Sequence, residues 1–358
     1  MKQKALWINQ IKGLCICLVV VYHSVITFYP HLSGLHHPWS ETLAKCWVYF
    51  NLYLAPFRMP VFFFISGFLI RRYIDDVSWR DGFNKRIWAI FYVLMLWGIL
   101  QWLALSEINL WLAPERDLSE ASNAAYAGNT SEFLHGMLTA STSLWYLYAL
   151  VVYFIFCKIT HRIKAPTLLV LALLSIAINF LPSPWWGMNS VLRNVIYYAL
   201  GAWYGTALME WMKHFNLRHY WLPLVLAAVF AVVTWFARTP LFLSLLSIFI
   251  IMKLFYAVGR RFEPRESGVL NVIGSNTIAV YTTHRILVEI FSLTALHYLS
   301  AINDSATFEL GLILVYPFLT LGLCVLAGLA ARRLSRVVFG DVLFTPPSRT
   351  FANVDDQG

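Results

Sequence analysis

The chain has 358 residues, of which 59% are hydrophobic and 13% charged, with a mean hydropathy of +0.64. Soluble globular domains are roughly 45–50% apolar and about 25% charged, so the apolar excess here must face lipid rather than water. The net charge of +9 does not point to nucleic acid, because the basic residues form no single patch and fall in short clusters between apolar runs.

From the N-terminus, Lys2 and Lys4 precede an apolar stretch, but Asn9, Gln10 and Lys12 interrupt its start and no small-residue cleavage site follows. This reads as a retained first membrane helix and not as a signal peptide. A spanning helix needs about 20 mostly apolar residues. Ten stretches qualify: 8–29, 48–70, 87–108, 142–160, 167–182, 191–211, 220–237, 239–258, 269–294 and 308–331. Pro56 and Pro60 interrupt the second, the fifth is short, and the turn Arg238-Thr239-Pro240 alone separates the seventh from the eighth.

The intervening loops alternate in charge. One set carries Arg71, Arg72, Arg80, Lys85 and Arg86, then Lys158, Arg162 and Lys164, then Lys213 and Arg218, then Arg260, Arg261 and Arg265, then Arg332, Arg333 and Arg336. The other carries Glu107, Glu115, Asp117, Glu120 and Glu132, then the uncharged 183–190, then Asp304 and Glu309. Positive loops stay in the cytoplasm. The expected fold is therefore an all-α, polytopic membrane bundle of about ten transmembrane helices with both termini cytoplasmic. The expected domains are a membrane domain over 1–337 and a disordered cytoplasmic tail over 338–358. No internal repeat is visible, and the outer segment 109–141 is too short for an independent fold.

The five cysteines (Cys15, Cys17, Cys46, Cys157, Cys324) lack metal-site spacing and read as small packing residues. His31, His36 and His37 cluster in an outer loop without a carboxylate or cysteine partner at suitable spacing, so no metal site is expected.

Ionisable residues within spans are candidates for function. Lys12 and His23 are eleven positions apart on the first span; at about 100° per residue they share a face, roughly 16 Å apart along the axis. Packing would also explain both, with Lys12 an interfacial anchor. Arg58 precedes Pro60 and the run FFFISGFL, and must pair, reach an aqueous cavity or snorkel to the surface. Ser66-Gly67 also suits close helix packing. In YTTHRILVEIF an Arg285–Glu289 pair at i,i+4 is a sufficient structural reading, which leaves His284 without one. Arg193, Asn194 and the aromatic pair Trp145-Tyr146 are weaker signals.

At these residues the chain resembles the acyltransferase 3 family of integral membrane proteins. Lys12 and His23 match its opening basic residue and histidine, where Arg is commoner at the first position. RMPVFFFISGFLIRR (58–72) is similar to its second-span signature, SLWYLYAL (143–150) to its Leu-Trp-Phe-Leu motif, and IGSNTIAVYTTHRILV (273–288) to its late helix. The four occur in the right order over nearly the whole chain. Within the family the chain looks most like the fucose 4-O-acetylase-like group of the enterobacterial inner membrane. One departure stands out: the family often has two arginines separated by two residues at the start of the third span, whereas FNKRIWAIF (83–91) has Ala89 where the second would fall.

The resemblance implies transfer of an acyl group, usually acetyl, from cytoplasmic acyl-CoA to a carbohydrate hydroxyl on the outer side. It implies no permanently bound cofactor, with acetyl-CoA as donor substrate and the lipid bilayer, acyl-CoA and a carbohydrate acceptor as partners. Neutral imidazole suits removal of a hydroxyl proton, so His23 is the expected base or, alternatively, a covalent acyl carrier. Arg58 or Ser66 is expected to stabilise the oxyanion. Lys12, Arg71, Arg72, Lys85 and Arg86 are expected to hold the anionic donor, and Trp145, Tyr146 and His284 to bind substrate. A transporter or exporter is the alternative class, and succinyl the alternative to acetyl.

Overall fold

A computed structural model describes residues 6–29, 37–118, 122–181, 184–216, 218–262, 264–301 and 306–347. Lys2, Lys4, His31, His36, Glu120, Asp304 and the tail from 348 lie outside the described residues. The described chain is helical throughout: α1 (Leu6–Phe28), α2 (Pro38–Tyr53), α3 (Ala55–Asp75), α4 (Trp79–Gly82), α5 (Ala89–Leu112), α6 (Thr130–Leu138), α7 (Trp145–Ile159), α8 (Lys164–Ala177), α9 (Trp186–His214), α10 (Trp221–Phe236), α11 (Leu241–Arg261), α12 (Val269–Ser275), α13 (Thr277–Ala301) and α14 (Ala306–Phe339). A π-helical stretch, Phe83–Trp88, joins α4 to α5.

A helix stands at each apolar stretch of the sequence, with two breaks. The second stretch divides at Leu54, where α2 ends and α3 starts with a proline in its first turn, the position at which its missing N–H costs nothing. The ninth divides at Asn276, between α12 and α13. Five helical stretches are long and apolar enough to cross a membrane: Leu6–Phe28, Pro38–Asp75, Trp79–Leu112, Leu241–Arg261 and Thr307–Phe339. The helices α7, α8 and α10 are apolar but shorter. At 29 and 25 residues, α9 and α13 have the length but not the hydropathy. Their polar residues point inward: α9 buries Asn194, and α13 buries Thr282, Thr283, His284, Arg285, Glu289 and Ser292. By contrast α10 buries only Ala231 and turns Leu222, Val225, Leu226, Val229, Phe230, Val233 and Phe236 outward, as a lipid-facing helix does.

Small residues let backbones meet where the crossing is tight. A Cβ on Gly67 of α3 would lie 2.1 Å from the Tyr198 carbonyl oxygen of α9, and one on Gly201 of α9 would lie 2.1 Å from the Phe64 carbonyl oxygen of α3. The packing suggested by Ser66-Gly67 is thus realised at the glycine. Two lysines, Lys158 of α7 and Lys253 of α11, cap the C-termini of neighbouring helices, where unpaired carbonyls and the dipole favour a cation. Lys158 Nζ donates to the carbonyls of Tyr73 (2.8 Å), in the last turn of α3, and of Val77 (2.7 Å), just beyond it. Lys253 Nζ donates to those of Met212 and Phe215, each at 2.8 Å, at the end of α9.

The structured part runs past 337. Phe344 is buried and stacks on Trp97 of α5 at 5.4 Å, Trp97 Nε1 donates to the Leu343 carbonyl at 2.7 Å, and Asp341 pairs with Arg332 at 2.7 Å. Residues 338–347 therefore belong with the bundle and not with a disordered tail, because an aromatic anchor and an ion pair fix them.

Candidate active site

Lys12 and His23 both point into the bundle from α1, but into different cavities. One, of about 660 Å³, is lined by His23, Tyr22, Arg58, Arg116, Tyr126, Trp145, Arg193, Tyr281 and Arg285 among others. The other, of about 260 Å³, is lined by Lys12, Ser66, Lys85, Arg86, Ala89, Tyr146, Tyr198 and Tyr281. Tyr281 borders both, while Trp145 faces the first and its neighbour Tyr146 the second.

Tyr146 and Tyr281 stand where the two cavities approach. The Tyr146 ring stacks on Phe62 at 4.6 Å and meets Tyr281 edge-on at 5.5 Å. Ser66 Oγ donates to the Phe62 carbonyl (2.8 Å), so the Tyr146 hydroxyl donates to Ser66 Oγ (2.7 Å). The Tyr281 hydroxyl donates to the Ser143 carbonyl (2.8 Å) and accepts the Tyr146 backbone N–H (3.3 Å). These bonds satisfy both phenols and hold them across the gap.

On the His23 side, the His23 ring lies 5.1 Å from that of His284, centroid to centroid. His284 is fully buried. Its Nδ1–H donates to the Tyr281 carbonyl at 2.5 Å, which leaves the lone pair on Nε2, an atom with no partner among the described residues. Arg58 is 5% exposed; it donates to the Asn51 carbonyl (2.8 Å) and Oδ1 (3.2 Å) and sits 4.2 Å from the Tyr22 ring centre.

Arg285 donates to Thr27 Oγ1 (3.0 Å) and to the Tyr126 hydroxyl, and pairs with Glu289 at 3.1 Å. The i,i+4 pair read from the sequence is present, but it is part of something larger. Glu289 also accepts from Arg116 (2.6 Å) and Tyr126 (2.8 Å). Burial raises the Tyr126 phenol to about 12, so it stays protonated and keeps donating. The network ties the loop after α5 to α13. Arg116 and Tyr126 carry no sequence signal for this role, since the contact is long-range and the loop has no motif.

The structure brings His23, Arg58 and Trp145 to one cavity, and Lys12, Lys85, Arg86, Ser66 and Tyr146 to the other. It separates other expected groupings. Ser66 lines the other cavity from His23 and Arg58, and its hydroxyl bonds to the Phe62 carbonyl and the Tyr146 hydroxyl. Tyr146 faces the Lys12 cavity and not the one that Trp145 lines. His284 lines neither cavity and packs behind His23, out of reach of a substrate. Arg71 folds onto the Phe68 ring at 4.1 Å and donates to its carbonyl, and Arg72 is exposed; neither lines the Lys12 cavity. The π-helical stretch, in contrast, presents Lys85 and Arg86 to it, and Ala89 leaves space in the same wall.

The described bundle thus holds two cavities, one lined by Lys12, Lys85 and Arg86 and one by His23 with Arg58, Arg116, Arg193 and Arg285. Residues 5–332 match the family model described as an acyltransferase domain. The chain belongs to this family, acyltransferase 3. It is 65% identical over 348 residues, 97% of this chain and 98% of the relative, to inner membrane protein YcfT of Escherichia coli (strain K12). That relative's name gives a location and no reaction. No solved structure matches the chain. The protein is a multi-pass protein of the bacterial inner membrane.

Proposed function

We propose that the protein is an O-acyltransferase, of the acetyl type, that moves an acyl group from cytoplasmic acyl-CoA to a hydroxyl of an envelope or periplasmic carbohydrate. The observation that carries this reading is that one helix, α1, offers Lys12 to one cavity and His23 to another, with Tyr146 and Tyr281 where the two approach. In this reading the chain crosses the bilayer ten times with both termini in the cytoplasm. The Lys12 cavity faces the cytoplasm and the His23 cavity the periplasm, in keeping with the charge alternation of the loops.

The donor's phosphates rest at the mouth formed by Lys12, Lys85 and Arg86, and its thioester arm reaches toward the tyrosines. The acceptor hydroxyl gives its proton to His23 as its oxygen attacks the thioester carbonyl. The new C–O bond forms, the C–S bond breaks, and the CoA thiolate leaves on the cytoplasmic side and takes up a proton. Arg58 lies on the same side as His23, where it stabilises the negative charge that develops on the carbonyl oxygen. His284 fixes the His23 ring from behind. If His23 carries the acyl group itself, the same geometry applies in two steps. For either route the tyrosine layer has to part, and Tyr146 is held there by one side-chain hydrogen bond, to Ser66.

The same two cavities suit an exporter, and one experiment separates the readings. Envelope glycans from deleted and complemented cells are compared by mass spectrometry. Acyl transfer predicts an acetyl-sized mass gain that depends on His23, whereas glycans of unchanged mass but altered location indicate export.

A further inference from the structure

The His23 cavity holds four guanidinium groups, Arg58, Arg116, Arg193 and Arg285, and among the described residues that line it none is a carboxylate. Glu289 stands behind the wall and is shared by Arg116 (2.6 Å) and Arg285 (3.1 Å), so a single negative charge answers that pair. Among the described residues Arg58 has neutral partners, the Asn51 carbonyl and amide oxygen and the Tyr22 ring. Arg193, on the first turns of α9, forms no ion pair among the described residues, and its Nε is buried without a hydrogen-bond partner. Charges this enclosed are costly unless something anionic meets them, and guanidinium groups match carboxylate and phosphate oxygens in shape as well as charge. The remaining walls include Trp145, Trp186 and Trp235, flat apolar faces suited to the C–H faces of a sugar ring. A volume of about 660 Å³ admits one or two sugar units and their substituents.

We propose that the His23 cavity is a receptor for an anionic carbohydrate, one that carries a carboxylate or phosphate group close to the hydroxyl presented to His23, with Arg58 and Arg193 as the anion-binding residues. This rests on the acyltransfer reading only in calling the bound sugar an acceptor. The arginines select the charge, the tryptophans hold the ring, and the histidine faces the hydroxyl. A neutral glycan leaves Arg193 Nε unpaired and the cavity with its excess of positive charge, and is disfavoured for that reason.

The test measures binding without turnover. The full chain is reconstituted in nanodiscs without acyl-CoA and titrated with methyl glucuronide, glucose 6-phosphate and methyl glucoside. The expected result is that at least one of the two anions binds about tenfold more tightly than the neutral glucoside, a margin ordinary for a charge-assisted contact, and which of them does so identifies the carboxylate or the phosphate as the recognised group. Arg193→Gln should cut that margin to about threefold or less with glucoside binding unchanged, while Arg193→Lys, which keeps the charge, retains most of it. Equal binding of all three sugars, binding of none, or a preference that survives Arg193→Gln overturns the proposal. So does displacement of the bound anion by CoA at matching concentration, which assigns the arginines to the donor. The two readings fail separately. Selective anion binding by a protein that never acylates any glycan removes the acyltransferase and keeps the receptor, and efficient acylation of neutral glycans does the reverse.

Discussion

At His23 the imidazole has the cavity on one side and a second imidazole, His284, on the other. Replacing His23 with Ala removes the one imidazole among the described residues that line that cavity, and we expect acyl transfer to be abolished with insertion and expression normal; full glycan modification by this variant removes His23 from the chemistry. At Lys12 the two roles left open by the sequence separate cleanly. A donor-binding Lys12 predicts that Lys12→Gln raises the acetyl-CoA concentration needed for half-maximal transfer, by about tenfold for a lost charge-assisted contact, and that Lys12→Arg does not. A mere interfacial anchor predicts one titration curve for all three proteins. That these two residues share a face was legible, because eleven helical steps nearly close three turns. That they open on different cavities was not, because the tyrosines where the cavities approach, Tyr146 of α7 and Tyr281 of α13, are far from α1 in sequence. Ser66 shows the same limit: a motif places it near the second-span signature, but only tertiary contacts show which cavity it lines.

Among the elements, the α3–α9 crossing sets the frame for both cavities, since α3 supplies Arg58 and Ser66 and α9 supplies Arg193 and Tyr198. Any side chain at Gly67 or Gly201 drives into the facing backbone, which cannot swing aside as a side chain does. Gly67→Val should therefore separate the helices and destabilise the protein by about 1–3 kcal/mol or more, seen as a lower unfolding temperature in detergent; an unchanged transition contradicts the close approach. The apolar pattern announced a helix at each candidate span, and the prolines announced the irregularity of the second. The pattern missed the π-helical turn before α5, whose register puts Lys85 and Arg86 on one cavity wall, because hydropathy does not report how many residues make a turn. It also stopped the membrane domain at 337, although Phe344 returns to pack on Trp97; a single aromatic after a charged stretch has no periodicity to reveal it.

For the whole molecule, the alternating loop charge predicts which side each cavity faces. With the exposed Cys46 replaced, a cysteine at Glu115 should label from outside spheroplasts and one at Arg80 should not; the opposite pattern inverts the molecule and exchanges the two cavities. The polar residues that α9 and α13 turn inward lower their hydropathy: a helix that lines a polar cavity gives up apolar residues on that face. The central claim is that donor and acceptor meet from opposite sides across the tyrosine layer. It is tested most directly in proteoliposomes of defined orientation, with labelled acetyl-CoA supplied only on the Arg80 side and a membrane-impermeant glycan acceptor only on the Glu115 side. The account predicts labelled glycan from the native protein and none from the His23→Ala protein. Labelled glycan formed only when acetyl-CoA and acceptor are placed on the same side would contradict it.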